Sequence, residues 1–184
     1  PRTILFEHPR FSPDGRGRVY CDDGPGRPFA TDANKFALFS AACAAYVSGL
    51  ERPPDVVHLH DWHAAFYCLL RDYEPRFSAL QDIRTVLTIH NLAMQGIRPL
   101  DGDASSLASW FPNLANDYAS VDDPRYADGI NPLGTAIRLA DRVHTVSPTN
   151  ATDIVRPNDE AHGFLGGEGR VSILRGVWSG GRLY

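Results

Sequence analysis

The chain has 184 residues, a formal net charge of −4 and 43% hydrophobic residues, enough for one domain with a true core. Residues 1–92 hold 10 basic against 11 acidic residues, and residues 93–184 hold 8 against 11. That balance excludes a nucleic-acid footprint. No run of about 18 apolar residues marks a membrane span, and the three cysteines, Cys21, Cys43 and Cys68, make no disulfide framework.

RTILFEHP, Arg2–Pro9, reads as a short strand closed by a proline. It has no secretory apolar core, so a cytoplasmic location is the expectation. The lack of an initial Met fits a processed chain or part of one. Residues 12–30 are rich in Gly, Pro and Asp and read as a long surface loop. A helix is predicted over about Ala33–Ser48, capped by Thr31 or Asp32, with Phe36, Phe39, Cys43 and Val47 on one face and alanines between them. Gly49 can end it.

Asp55–Leu59 reads as a strand, followed by a largely apolar helix, about Trp62–Arg71. Ile83–Ile89 is rich in β-branched residues without polar alternation, which suits a strand covered on both faces. Residues 92–129 hold polar loops, a helix candidate near Ser105–Trp110 and the acidic, turn-rich piece VDDPRYADG. That stretch reads as a lid, an acceptor-facing insertion or a surface excursion. A helix at about Leu133–Ala140 feeds a strand, Arg142–Val146. Ser147 then caps a helix with Pro148 at its first position, and Arg170–Leu174 reads as a last strand. Alternating strands and helices predict an α/β fold, a Rossmann-like parallel sheet flanked by helices.

Polar residues gather where these strands end. VVHLHDWHAAFYCLL, 56–70, runs from an apolar strand into His58, His60, Asp61, Trp62 and His63. TVLTIHN, 85–91, repeats the pattern with His90 and Asn91, and Gln95 and Gly96 follow. Ligands bind beyond the carboxyl ends of parallel strands. Histidine and asparagine each offer a donor and an acceptor, as vicinal sugar hydroxyls require. A polar organic ligand is the reading favoured for this cluster, with structural hydrogen bonding second. A metal site using His58, His60 and His63 is third, since the spacing matches no zinc signature. Asp61 could simply cap the helix after it, and Trp62 is balanced between a sugar platform and the core. Residues 141–149, DRVHTVSPT, offer exposed N–H groups to an anion or merely a capped helix. The chain has no G-x-G-x-x-G, P-loop, G-x-S-x-G or H-E-x-x-H motif.

HLHDWHA at 58–64, LTIHNLAMQG at 87–96, LADRVHTVSPT at 139–149 and, more weakly, SILRG at 172–176 resemble the N-terminal domain of bacterial glycogen synthases and plant starch synthases. Residues 17–42 resemble the family's loop and helix before the first of these blocks. The resemblance implies a retaining glycosyltransferase of the two-domain GT-B architecture. Such an enzyme adds glucose from a nucleotide sugar, ADP-glucose or UDP-glucose, to the non-reducing end of an α-1,4-glucan, with no metal or other cofactor. It implies His90 as the catalytic residue beside the transferred glucose. It further implies Asp61, Trp62, His63, Asn91, Gln95 and Phe29 as substrate-binding residues. Phe29 stands where the family has tyrosine, and Arg175 stands where it has asparagine.

The family's Lys-x-Gly-Gly loop and second domain have no counterpart in these residues. Residues 1–184 are therefore expected to form a partial N-terminal domain that does not turn over alone. A homo-oligomer is an open expectation. The alternative to an enzyme fragment is a non-catalytic carbohydrate-binding or regulatory module derived from the same domain.

Overall fold

The computed structural model describes residues 2–13, 18–114, 121–123 and 125–184. Residues 14–17 of the predicted surface loop, and 115–120 and 124 of the middle stretch, lie outside the described residues. In chain order the elements are α1 (Ala30–Ser48), β1 (Val56–His60), α2 (Phe66–Tyr73), β2 (Arg84–Ile89), β3 (Arg98–Pro99) and α3 (Leu107–Trp110). There follow β4 (Asp122–Asp123), β5 (Tyr126–Ile130), α4 (Pro132–Leu139), β6 (Arg142–Thr145), α5 (Pro148–Asp153) and α6 (Val171–Ser179).

The predicted parallel sheet is present, in the order β1-β2-β6. His60 lies beside Thr88, and Thr88 beside His144. β2 is the central strand, with Thr85, Leu87, Thr88 and Ile89 buried and Val86 partly so. Its continuous β-branched sequence suits that position. Helix α2 buries Phe66, Tyr67, Cys68, Leu69 and Leu70 almost completely. This meets the expectation of a helix covered on several sides, although a separate 3-10 turn at Trp62–Ala64 precedes it. The N-terminal edge of the sheet is locked by Arg71. Its guanidinium donates to Thr85 Oγ1 and Asp141 Oδ2, each at 2.7 Å, and to the Leu139 carbonyl at 3.0 Å.

Several predicted elements take another form. Arg2–Pro9 forms no strand; it ends in a 3-10 turn at Pro9–Phe11, and Leu5 lies open to solvent. The α1 helix starts three residues early, with Phe29 at its N-cap in the left-handed conformation, φ 63°. Thr31 and Asp32 therefore lie inside the first turn and are not the cap. Asp32 is buried, accepts the Cys21 N–H at 3.1 Å and pairs with Lys35 at 2.8 Å. The tightly packed face of α1 is Ala33, Ala37, Ser40 and Ala44, whereas Phe36 is half-buried and Phe39 partly exposed. Small residues let α1 approach α2 closely, and this outweighs aromatic bulk in choosing the inner face.

Arg170–Leu174 is the start of helix α6 and its N-cap, not a strand. The sheet is instead extended by Arg182–Tyr184, which runs parallel to β6. Val143 N–H donates to the Arg182 carbonyl at 2.8 Å, and Tyr184 N–H to the Val143 carbonyl at 2.9 Å. In the middle stretch, the acidic segment supplies most of a small antiparallel sheet ordered β3-β5-β4. Ser147 caps α5 through the Asn150 N–H, with Pro148 at the first position, as its sequence predicts.

Candidate functional site

Parallel pairing puts the carboxyl ends of β1 and β2 side by side, so residues 60–63 and 90–96 meet there. Asp61 joins the two ends. Its N–H donates to the Thr88 carbonyl at 2.9 Å, and its Oδ1 accepts the N–H groups of His90 at 2.7 Å and Asn91 at 3.1 Å. It makes no helix-capping hydrogen bond. Its backbone, φ 52° and ψ −165°, lies in a region that ordinary residues seldom occupy. A carboxylate accepting two backbone N–H groups can hold such a turn.

His90 is exposed at the tip of β2, and its Nε2 is 3.0 Å from Nδ1 of His60. Asn91 is exposed beside it and turns its Oδ1 back to accept the Ala93 N–H at 3.0 Å. Trp62 is completely buried, edge-on to Phe29 and Phe36 with centroids 5.7 and 4.8 Å away. Each such pair adds about 0.5–1.5 kcal/mol to simple burial. Its indole therefore forms the floor beneath the loop and offers no open face to a sugar.

His63 stacks on Trp62 and meets the Tyr20 hydroxyl through Nε2 at 2.6 Å. Burial pushes its imidazole below the usual histidine range, against the opposing pull of Asp61 and Asp32. Burial also lowers His58, helped by the nearby His60, His144 and His90. His58 instead bonds Thr88 Oγ1 at 2.7 Å, and no group of three His, Cys, Asp or Glu among the described residues is arranged to hold a metal ion.

The loop from His90 reaches a cavity of about 610 Å³ whose lining includes Phe29, Gln95, Gly96, Arg98, Arg125 and Tyr126. Gly96 has φ +69°, and a Cβ there would meet the Trp62 ring at 2.2 Å. Only glycine fits that crossing. Gln95 is buried and anchors the cavity wall. Its Nε2 donates to the carbonyls of Leu92 and Glu168, while its Oε1 accepts from Arg125 at 2.8 Å, Asn131 at 2.7 Å and Arg170 at 3.1 Å.

Asp123 closes this network with Arg170, Arg125 and Asn131. These partners of Gln95 are absent from the sequence-based list of site residues. For Asp123, Arg125 and Asn131 the signal was the density of Asp, Arg and Asn in VDDPRYADGIN, though spacing did not encode which would fold inward; Arg170 lies outside that run.

Residues 2–172 match the family described as the starch synthase catalytic domain. The glycogen synthase of Bordetella parapertussis is 39% identical over 158 residues, covering 84% of this chain and 29% of its own length. Glycogen synthase 2 of Agrobacterium fabrum is 37% identical over 160 residues, covering 84% and 29%. A solved catalytic domain of starch synthase IV from Arabidopsis thaliana, bound to ADP and acarbose, superposes with a TM-score of 0.68 at 26% identity. That match covers 92% of this chain and 31% of the other. The chain thus spans under a third of the length of these relatives.

Proposed function

The chain belongs to the starch synthase catalytic domain family, and from that premise we propose that it forms one wall of a glucosyl-transfer cleft. The parent reaction is transfer of glucose from ADP-glucose to the non-reducing end of an α-1,4-glucan, with retention. The architecture is the two-domain GT-B arrangement, with this chain in its N-terminal half. The observation that carries this reading is the Asp61 clamp, which fixes His90 and Asn91 at the ligand-binding end of a parallel sheet.

In this reading His90 lies against the transferred glucose and helps stabilise the oxocarbenium-like transition state. Asn91 meets sugar hydroxyls. Asp61, Trp62, His63, Gln95 and Phe29 serve the substrate by shaping the loop on which His90 and Asn91 stand. A ring of polar groups fixed before substrate arrives lowers a charged transition state without reorganisation cost.

The diphosphate needs basic groups from outside these residues. Lys35 is the single lysine of the chain, and it is buried, paired with Asp32 and donating to the Val19 carbonyl. Arg98, Arg125 and Arg170 are already engaged by Ser105, Asp123 and Gln95. Transfer therefore depends on a second domain closing over this wall, and the isolated chain is inactive.

The test is incorporation of labelled glucose from ADP-glucose into glycogen by the full gene product and, separately, by the 184-residue chain. Incorporation by the first alone supports the reading. No incorporation by the full gene product, with glycogen binding intact, favours the carbohydrate-binding module instead.

A further inference from the structure

His60 ends β1 and His90 follows the last residue of β2, and both rings lie on the same sheet face as Thr88. The rings are 5.3 Å apart at a shallow angle of 31°, with His60 Nδ1 and His90 Nε2 in hydrogen-bond contact at 3.0 Å. The other charged or titratable residues of the sheet on that face are His58 on β1, Arg84 on β2, and Arg142 and His144 on β6. His58 and His144 are both tied to Thr88 Oγ1, at 2.7 and 3.3 Å. His60 is thus left as the ring partner of His90, while Asp61, the next residue, holds the backbone of His90.

Between two neutral imidazoles, one nitrogen must donate and the other accept. If His90 donates Nε2–H to His60 Nδ1, both rings keep the ordinary Nε2–H tautomer. The reverse direction requires both rings to carry the proton on Nδ1. The first arrangement needs no tautomer shift on either ring, and it leaves the lone pair of His90 on Nδ1.

We propose that His60 is a positioning residue for His90: by accepting the His90 Nε2–H, it fixes the ring and makes Nδ1 the acceptor presented to substrate. The inference rests on the reading of His90 as the residue that meets the transferred sugar. It adds a chemical specificity. The group met by neutral His90 must donate, so it is a sugar hydroxyl pointing its hydrogen at Nδ1, not a carbonyl or phosphate oxygen.

Two measurements test this. On the 15N-labelled chain at about pH 8, where histidine is neutral, a trans-hydrogen-bond N–N coupling should link His90 Nε2 to His60 Nδ1. The His90 Nδ1 shift should be that of an unprotonated nitrogen. A missing coupling, or a protonated Nδ1 on His90, overturns the proposal without recourse to any variant.

In the full gene product, His60→Phe should lower kcat by about tenfold with KM for ADP-glucose unchanged. His60→Asn, whose side-chain oxygen can accept from Nε2–H, should recover most of that loss. If His90→Ala cuts transfer while His60→Phe matches the unaltered enzyme, the positioning role is lost and the sugar-site reading stands. If His90→Ala leaves transfer unchanged, the sugar-site reading fails, and with it the substrate role given to His60, even where the N–N coupling is seen.

Discussion

The Asp61 carboxylate accepts the His90 N–H at 2.7 Å across the gap between two strand ends, so one short side chain sets the position of another residue's backbone. The same oxygen takes the Asn91 N–H at 3.1 Å. Asp61→Ala should cost about 2 kcal/mol of unfolding free energy, in line with loss of charge-assisted hydrogen bonds. Asp61→Gly removes the same carboxylate but relieves the φ 52° backbone, so it should cost less than Asp61→Ala. Urea unfolding of the pair checks the order; a glycine variant less stable than the alanine one would refute the clamp-plus-strain account.

His90→Ala in the full gene product should lower glucosyl transfer by about 10²-fold, roughly 3 kcal/mol of transition-state stabilisation. The exposed position of His90 predicts little change in stability. Steady-state rates beside thermal unfolding separate the two effects, and transfer at the unaltered rate would remove His90 from the reaction.

Gly96→Ala should destabilise the chain by about 1–3 kcal/mol or more through overpacking and a disfavoured φ. The added Cβ would lie 2.2 Å from the Trp62 ring, which is itself wedged by Phe29 and Phe36. Because the loop carries His90 at its other end, transfer should fall as well. A variant with unchanged melting temperature would show that the loop crosses Trp62 less closely.

The Gln95 network gives a coupled prediction. Arg170→Met leaves the buried Asp123 carboxylate short of a partner and should cost about 3–5 kcal/mol. Gln95→Leu breaks three acceptor contacts in the same cluster. The double variant should lose less than the sum, with a coupling of at least about 0.5 kcal/mol. Strict additivity in denaturant unfolding would mean the two side chains act independently.

The parts of this molecule legible in the sequence are those governed by local rules. The β-branched run of β2 and the Ser147 cap of α5 follow from neighbours a few residues away. The meeting of 60–63 with 90–96 is legible too, once a parallel sheet is accepted, because ligand-facing loops gather at the carboxyl ends of its strands. One misreading and two readings left open turn on long-range packing. Asp61 is a helix cap by local chemistry, but the unpaired N–H groups of His90 and Asn91 compete for it. RVSIL carries two β-branched residues, Val171 and Ile173, yet burial of Leu174 and Val177 selects a helix there. Trp62 is balanced between platform and core until Phe29, Phe36 and Gly96 close around it.

Stability should fall in two stages as the solution is acidified. Burial raises Asp141, but the Thr85 N–H and the Arg84 and Arg71 guanidiniums outweigh it and hold the carboxyl well below the usual range. Hydrogen bonds from Arg27 and the Ser105 N–H bring Asp103 down to about 2. Both groups are depressed in the folded state, so the unfolded chain binds more protons below about pH 4 and stability rises with pH there. Their contribution is complete above about pH 4 and is lost as pH falls through the folded-state values.

His58 and His63 are lowered chiefly by burial. Folded, they stay neutral where unfolded histidine takes a proton, so a first, shallower loss begins below about pH 6.5. Urea midpoints across this range should decline from neutral to mildly acidic pH and then drop more steeply. Asp141→Asn should reduce the steep limb and leave the histidine limb in place. A midpoint that rises between about pH 7 and 5 would contradict the lowering of the His58 and His63 imidazoles.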